Sequence, residues 1–95
     1  MYEGVKRLAN EMVEPERDHW LQVIRACYEV AEKTGGEEFA KRWVQGLRDA
    51  PISLRKLRRY GILQQVGSAR RGHRAYWRIA DREGVRVALK ELGYL

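Results

Sequence analysis

The sequence predicts a mainly α-helical domain with one small β-hairpin, in the order helix, helix, helix, hairpin, helix, preceded by a short N-terminal helix or arm. Three observations lead there. Apolar residues recur at helical spacing through most of the chain, the spacing changes to alternation only between residues 62 and 80, and Gly or Pro punctuates each change. The 95 residues, 44% of them hydrophobic, suffice for one core and leave no room for a second domain. No repeat, low-complexity tract or long linker divides the chain.

Val5, Leu8, Ala9, Met12 and Val13 share one helical face and Pro15 forces a break, so the 5–13 segment reads as the short helix or arm. Pro15, Glu16 and Asp18 suit the first turn of a helix, where a missing N–H is harmless and carboxylates meet the positive end of the dipole. Trp20, Val23, Ile24, Cys27, Tyr28 and Ala31 then line one face of a helix that ends at Gly35-Gly36. Glu37 and Glu38 open the next segment, whose apolar face of Phe39, Ala40, Trp43, Val44 and Leu47 predicts another helix. Gly46 and Arg48-Asp49-Ala50-Pro51 end it in a tight turn, with Asp49 as N-cap and Pro51 in the first turn of a third helix. This third helix, of about three turns, points Leu54 and Leu57 inward with Ile52 or Tyr60 beside them. Its outward faces carry Arg55, Lys56, Arg58 and Arg59 until Gly61 stops it.

Beyond Gly61, Ile62, Gln64 and Val66 alternate with Leu63 and Gln65, which predicts a strand. The stretch from Gly67 to Arg74 has glycines and arginines but nothing that seeks a core, and is expected to project as the hairpin loop. Its partner strand runs from Ala75 to Ala80, with Ala75, Trp77 and Ile79 facing inward and Tyr76 and Arg78 facing the other way. Asp81 caps a last helix whose face of Val85, Ala88, Leu89 and Leu92 ends at Gly93. The aliphatic neighbours of Trp20, Trp43 and Trp77 predict that all three pack in the core rather than stack on bases.

Charge is the strongest functional signal. The net charge is +6, yet residues 1–50 carry 8 Lys/Arg against 10 Asp/Glu, while residues 51–95 carry 11 against 3. Between Ala50 and Ala80 there is no acidic residue, and Arg55, Lys56, Arg58, Arg59, Arg70, Arg71, Arg74 and Arg78 all lie there. Solubilising surfaces mix the two signs, and uncompensated cations repel one another in the folded state. The pattern therefore points to a polyanionic partner.

From Phe39 to Ile79 the chain resembles the winged helix-turn-helix family of DNA-binding domains. Leu57-Arg58-Arg59-Tyr60-Gly61-Ile62-Leu63 looks like a recognition helix ending in Gly with two aliphatics that start the wing strand. Arg70-Arg71-Gly72-His73-Arg74-Ala75-Tyr76-Trp77-Arg78-Ile79 looks like an Arg-Gly-rich wing tip with an aromatic return strand. The resemblance covers somewhat under half the chain and speaks more to fold than to function. It departs from the family at Pro51, which in an ungapped comparison falls inside the recognition helix, so that helix must start late, leaving Ser53 as the polar residue near its N-terminus.

The resemblance implies double-stranded DNA as partner and a transcriptional regulator or chromatin-associated factor as the function. The basic helix would enter the major groove, and Arg70, Arg71, His73 and Arg74 would grip phosphate or reach into the minor groove. Ser53, Arg55, Lys56, Arg58, Arg59, Tyr76 and Arg78 complete the expected site. Arg55 or Arg59 is able to read guanine or to anchor phosphate, and the sequence leaves both roles open. The alternative is a winged-helix module that binds structured RNA or docks a protein in a transcription, replication or ribosomal assembly. The apolar residues of the 5–13 segment suggest a homodimer through acidic N-terminal helices.

Catalysis is not expected. There is no phosphate-binding Gly-Lys-Ser/Thr loop and no Gly-x-Ser-x-Gly elbow. Cys27 lies on an apolar helix face without a neighbouring cation, which predicts burial rather than redox sensing. The lone Cys, with His19 and His73, makes no zinc set, and no cofactor is expected. The absence of a disulfide pair, a signal-like N-terminus and a long apolar run predicts a cytoplasmic, nucleoid-associated protein with no membrane partner.

Overall fold

The computed structural model describes residues 4–36, 38–66 and 76–95. Two helices lead: α1 (Gly4–Glu11) and α2 (Glu16–Lys33). The Glu14–Pro15 peptide between them is cis, and Arg17 closes the corner by donating from Nε and Nη2 to the Met12 carbonyl at 3.0 and 2.7 Å. A two-residue strand β1 (Phe39–Ala40) and a 3₁₀ turn (Lys41–Trp43) come next. Then come α3 (Arg55–Arg59), β2 (Leu63–Val66), β3 (Tyr76–Ile79) and α4 (Arg82–Glu91). The described residues thus hold four α-helices and a three-stranded antiparallel sheet of order β1-β3-β2.

The largest departure from expectation is the segment after Glu38, which is not a helix. Phe39 and Ala40 pair with Trp77 and Tyr76 as an edge strand, and a 3₁₀ turn and loose turns carry the chain through Gly46, at φ +82°. The apolar spacing that suggested a helix still places Phe39, Val44 and Leu47 in the core, so the core is satisfied by a backbone that is strand, turn and loop. Long-range pairing to β3, invisible to local periodicity, wins over an intrinsic helical preference. The hairpin is accordingly part of a three-stranded sheet, and the element order contains a strand where a helix was expected.

The next helix is also shorter than expected. α3 has five residues in place of about three turns. Asp49 does not cap it and Pro51 precedes it; the Ser53 Oγ instead accepts the Arg55 N–H at 3.3 Å. The turn before it is held by Lys41, whose Nζ donates to the Ala50 carbonyl at 2.7 Å. Gly61, at φ +72°, stops α3: its N–H donates to Arg58 O at 2.9 Å and the Ile62 N–H to Leu57 O at 3.0 Å. A left-handed residue is what this ending requires, and Gly occupies it without a Cβ penalty. α2 and α4 end with the same pair of bonds.

Both Ile62 and Leu63 are buried, although strict alternation would separate them, because Ile62 still belongs to the turn that closes α3. Along β3 the alternation holds: Trp77 and Ile79 are buried and Arg78 is exposed. Asp81 caps α4 as the sequence predicts, its Oδ1 accepting the Gly84 N–H at 3.0 Å.

The core unites Val5, Leu8, Ala9 and Met12 of the N-terminal segment with Leu21, Ile24 and Cys27 of α2, Leu57 of α3 and Val85 and Leu89 of α4. α1 packs on α2 and α4, while α2 backs β3. Of the apolar residues that suggested a dimer, only Val13 stays open, at 70% exposure. The apolar face of α1 is used within the chain, which removes the observation on which the dimer rested. Trp77 is buried and Trp20 packs against the core, but Trp43 is 48% exposed, contrary to expectation. No described helix is long and apolar enough to cross a membrane.

Candidate nucleic-acid interface

α3 sorts its side chains by position. Leu54, just before it, and Leu57 within it are buried, and full burial of one such leucine contributes about 2 kcal/mol. Arg55, Arg58 and Arg59 stand at i, i+3 and i+4 and are all exposed, forming one cationic face. Ser53, also exposed, spends its oxygen as an acceptor for the Arg55 N–H.

Lys56 departs from this face. Half-buried, it lays its Nζ over the Trp20 ring at 5.4 Å from the centroid, so it joins α3 to α2 rather than pointing outward with the arginines. This corrects its assignment to the outward cationic face.

Two arginines are steered by neutral amides. Arg58 Nη1 donates to Gln65 Oε1 at 2.6 Å, and Arg78 Nη2 donates to Gln64 Oε1 at 3.3 Å. Gln64 and Arg78 are also register partners across β2 and β3. An amide acceptor orients a guanidinium without cancelling its charge. The ion pairs of the described residues involve Lys6, Arg7, Arg17, Arg25, Arg82 and Arg86, and none engages Arg55, Arg58, Arg59 or Arg78. Positive charge is therefore oriented and left uncompensated along α3 and the adjoining strands.

The C-terminal end of α3 is held by α1. Arg7 Nη2 donates to the Arg59 carbonyl at 3.2 Å and its guanidinium lies over the Tyr60 ring at 4.9 Å from the centroid. The Tyr60 hydroxyl donates to Glu11 Oε1 at 2.9 Å, and this hydrogen bond raises the Tyr60 pKa. Glu11 is also within ion-pair range of Arg7, at 3.8 Å, so the carboxylate that meets Tyr60 at the end of α3 has its own cation.

Tyr76 is half-buried and meets Trp43 edge-on, with ring centroids 5.9 Å apart. Arg42 lies over the Trp43 ring at 5.6 Å, and its Nη1 is buried with no hydrogen-bond partner among the described residues. Sequence reasoning missed Arg42 and Trp43 because both were assigned to a helix that does not form; the sole signal was the Arg-Trp dipeptide itself. The segment 67–74 expected to form the hairpin loop, with Arg70, Arg71, His73 and Arg74, lies outside the described residues, as does Ala75.

Two other titratable residues, Cys27 and His19, lie on α2. Cys27 is 1% exposed, and burial pushes its thiol up to about 12. His19 stands edge-on to Trp20. Among the described residues there is no cluster of His, Cys, Asp and Glu fit to hold a metal. No protein-family model, curated protein or solved structure matches the chain.

Proposed function

We propose that the protein is a winged-helix domain that binds double-stranded DNA, as a transcriptional regulator or chromatin-associated factor. The observation that carries this reading is the exposed face of Arg55, Arg58 and Arg59, without a carboxylate partner among the described residues. The sheet order β1-β3-β2, with a strand between the long helix and the α3 turn, supports the fold half of it. So does the helix that opens directly into a wing-type strand through Gly61.

The same geometry bounds the mode of binding. A five-residue helix is about 8 Å long, against a major groove about 12 Å wide. It offers few side chains to base edges, and its three exposed cations are all arginines, able either to bridge guanine or to anchor phosphate. Affinity then comes chiefly from phosphate contacts, with Arg70, Arg71, His73 and Arg74 adding theirs from the wing.

Fluorescence anisotropy with a random-sequence duplex at several salt concentrations tests the proposal. The wild type is expected to bind with a steep salt dependence. Arg55→Ala/Arg58→Ala/Arg59→Ala and Arg70→Ala/Arg71→Ala/Arg74→Ala should each weaken binding and lower the slope by roughly one unit per lost phosphate contact. No binding at low salt overturns the proposal and moves structured RNA or a protein assembly to first place.

A further inference from the structure

The register of the sheet divides its residues between two faces. Leu63, Ile79 and Trp77 pair on the core side with Phe39 and Gln65, whereas Ala40, Tyr76, Val66, Arg78 and Gln64 share the opposite side. Trp43 comes over this second side from the 3₁₀ turn and meets Tyr76 there. The result is an indole half open to solvent, a half-buried phenol against it, and Arg78 two residues further along the strand, about 7 Å away. Arg42 adds a second guanidinium over one face of the indole, leaving the other for a ligand. None of the ion pairs among the described residues engages Arg42 or Arg78.

We propose that this face binds single-stranded polynucleotide, with an unpaired base stacked on Trp43 and the strand's phosphate met by Arg78. An indole at 48% exposure leaves apolar surface in water that a planar partner would cover. The two guanidiniums, Arg42 at the indole and Arg78 along the strand from Tyr76, make that partner anionic, and a base carried on a phosphate chain supplies both properties. Paired bases in a duplex are closed to such stacking, so the ligand is an unpaired strand, DNA or RNA. Binding here does not depend on α3 entering a groove: it uses a different face and a different form of nucleic acid.

The test titrates the full chain into fluorescein-labelled oligo(dT) and oligo(rU) of about 15 nucleotides, a length within the range one small domain covers, with a duplex in parallel. The wild type is expected to bind at least one single strand with quenched tryptophan emission. Trp43→Ala should weaken that binding roughly tenfold or more, Trp43→Phe by less, and both should leave duplex affinity within about twofold. The stronger of the two oligomers identifies DNA or RNA as the strand. Arg55→Ala/Arg58→Ala/Arg59→Ala is the converse control, so failure of the duplex reading and failure of this one are separable. Circular dichroism checks that each variant folds, and irradiation of the wild type with a bromouracil-substituted oligomer, followed by mass spectrometry, should give adducts at Trp43 or Tyr76. Single-strand binding unchanged in Trp43→Ala, no binding by the wild type, or adducts confined to other residues overturns the proposal and leaves the face to a protein partner.

Discussion

Cys27 shows how far burial alone decides the behaviour of a residue here. Cys27 is buried in the same core as Leu21, Val23, Ile24 and Ala31, and desolvation raises its pKa to about 12. The thiol is thus neutral at any ordinary pH, and the folded state resists its ionisation. Any contribution to stability is accordingly present below the ordinary thiol range and is lost as pH climbs toward 12. Iodoacetamide at pH 8 should leave the native protein unmodified and label it fully in denaturant, read by mass spectrometry; rapid labelling of the native protein would contradict the burial. Residue-scale reading of the sequence was sound for Cys27, Trp77, Ile79 and Asp81, whose surroundings are local or stem from strand alternation. It failed for Trp43 and Lys56. Both have their orientation set by a partner distant in the chain, Tyr76 for the one and Trp20 for the other.

Among the elements, α1, α2 and α4 were legible because each repeats an apolar face over at least two turns and ends in a recognisable break. The 39–47 segment was not, since Phe39, Val44 and Leu47 reach the core from a strand and turns with the same spacing that a helix would use. β2 and β3 were legible as a pair, but the third strand is only two residues long and has no period of its own. Two substitutions test the element ends. An added Cβ at Gly61 would meet no atom within 4 Å, so Gly61→Ala costs only its left-handed backbone, about 1–2 kcal/mol. Asp81→Ala removes the cap of α4 and costs about 1 kcal/mol. Urea unfolding should show both as lower midpoints with unchanged slope; a slope change would mean that the substitution altered the native or unfolded ensemble instead.

Over the whole molecule, the separation of charge seen along the sequence becomes a separation in space only in part. α1 brings Arg7 and Glu11 to the end of α3, so one acidic residue from the N-terminal half lies beside the cationic face, already paired. With the apolar face of α1 consumed inside the chain, light scattering at micromolar concentration should return the mass of one chain. A dimeric mass would mean that a different surface, such as the one around Val13, Leu92 and Leu95, holds two copies together.

The two ends of the described chain are tied to each other, and this bears on how the protein is made. Lys6 of α1 pairs with Glu91 of α4, and the Tyr94 hydroxyl donates to Asp18 across 76 positions of sequence. On the ribosome α1 leaves the exit tunnel before α4, yet α4 supplies part of what covers Val5 and Leu8. Closure of the core therefore waits for α4, and loop-closure entropy must be met before those contacts form. A nascent chain arrested before Leu89 would display an apolar stripe with part of its cover missing, the kind of surface that chaperones hold until the remaining residues arrive.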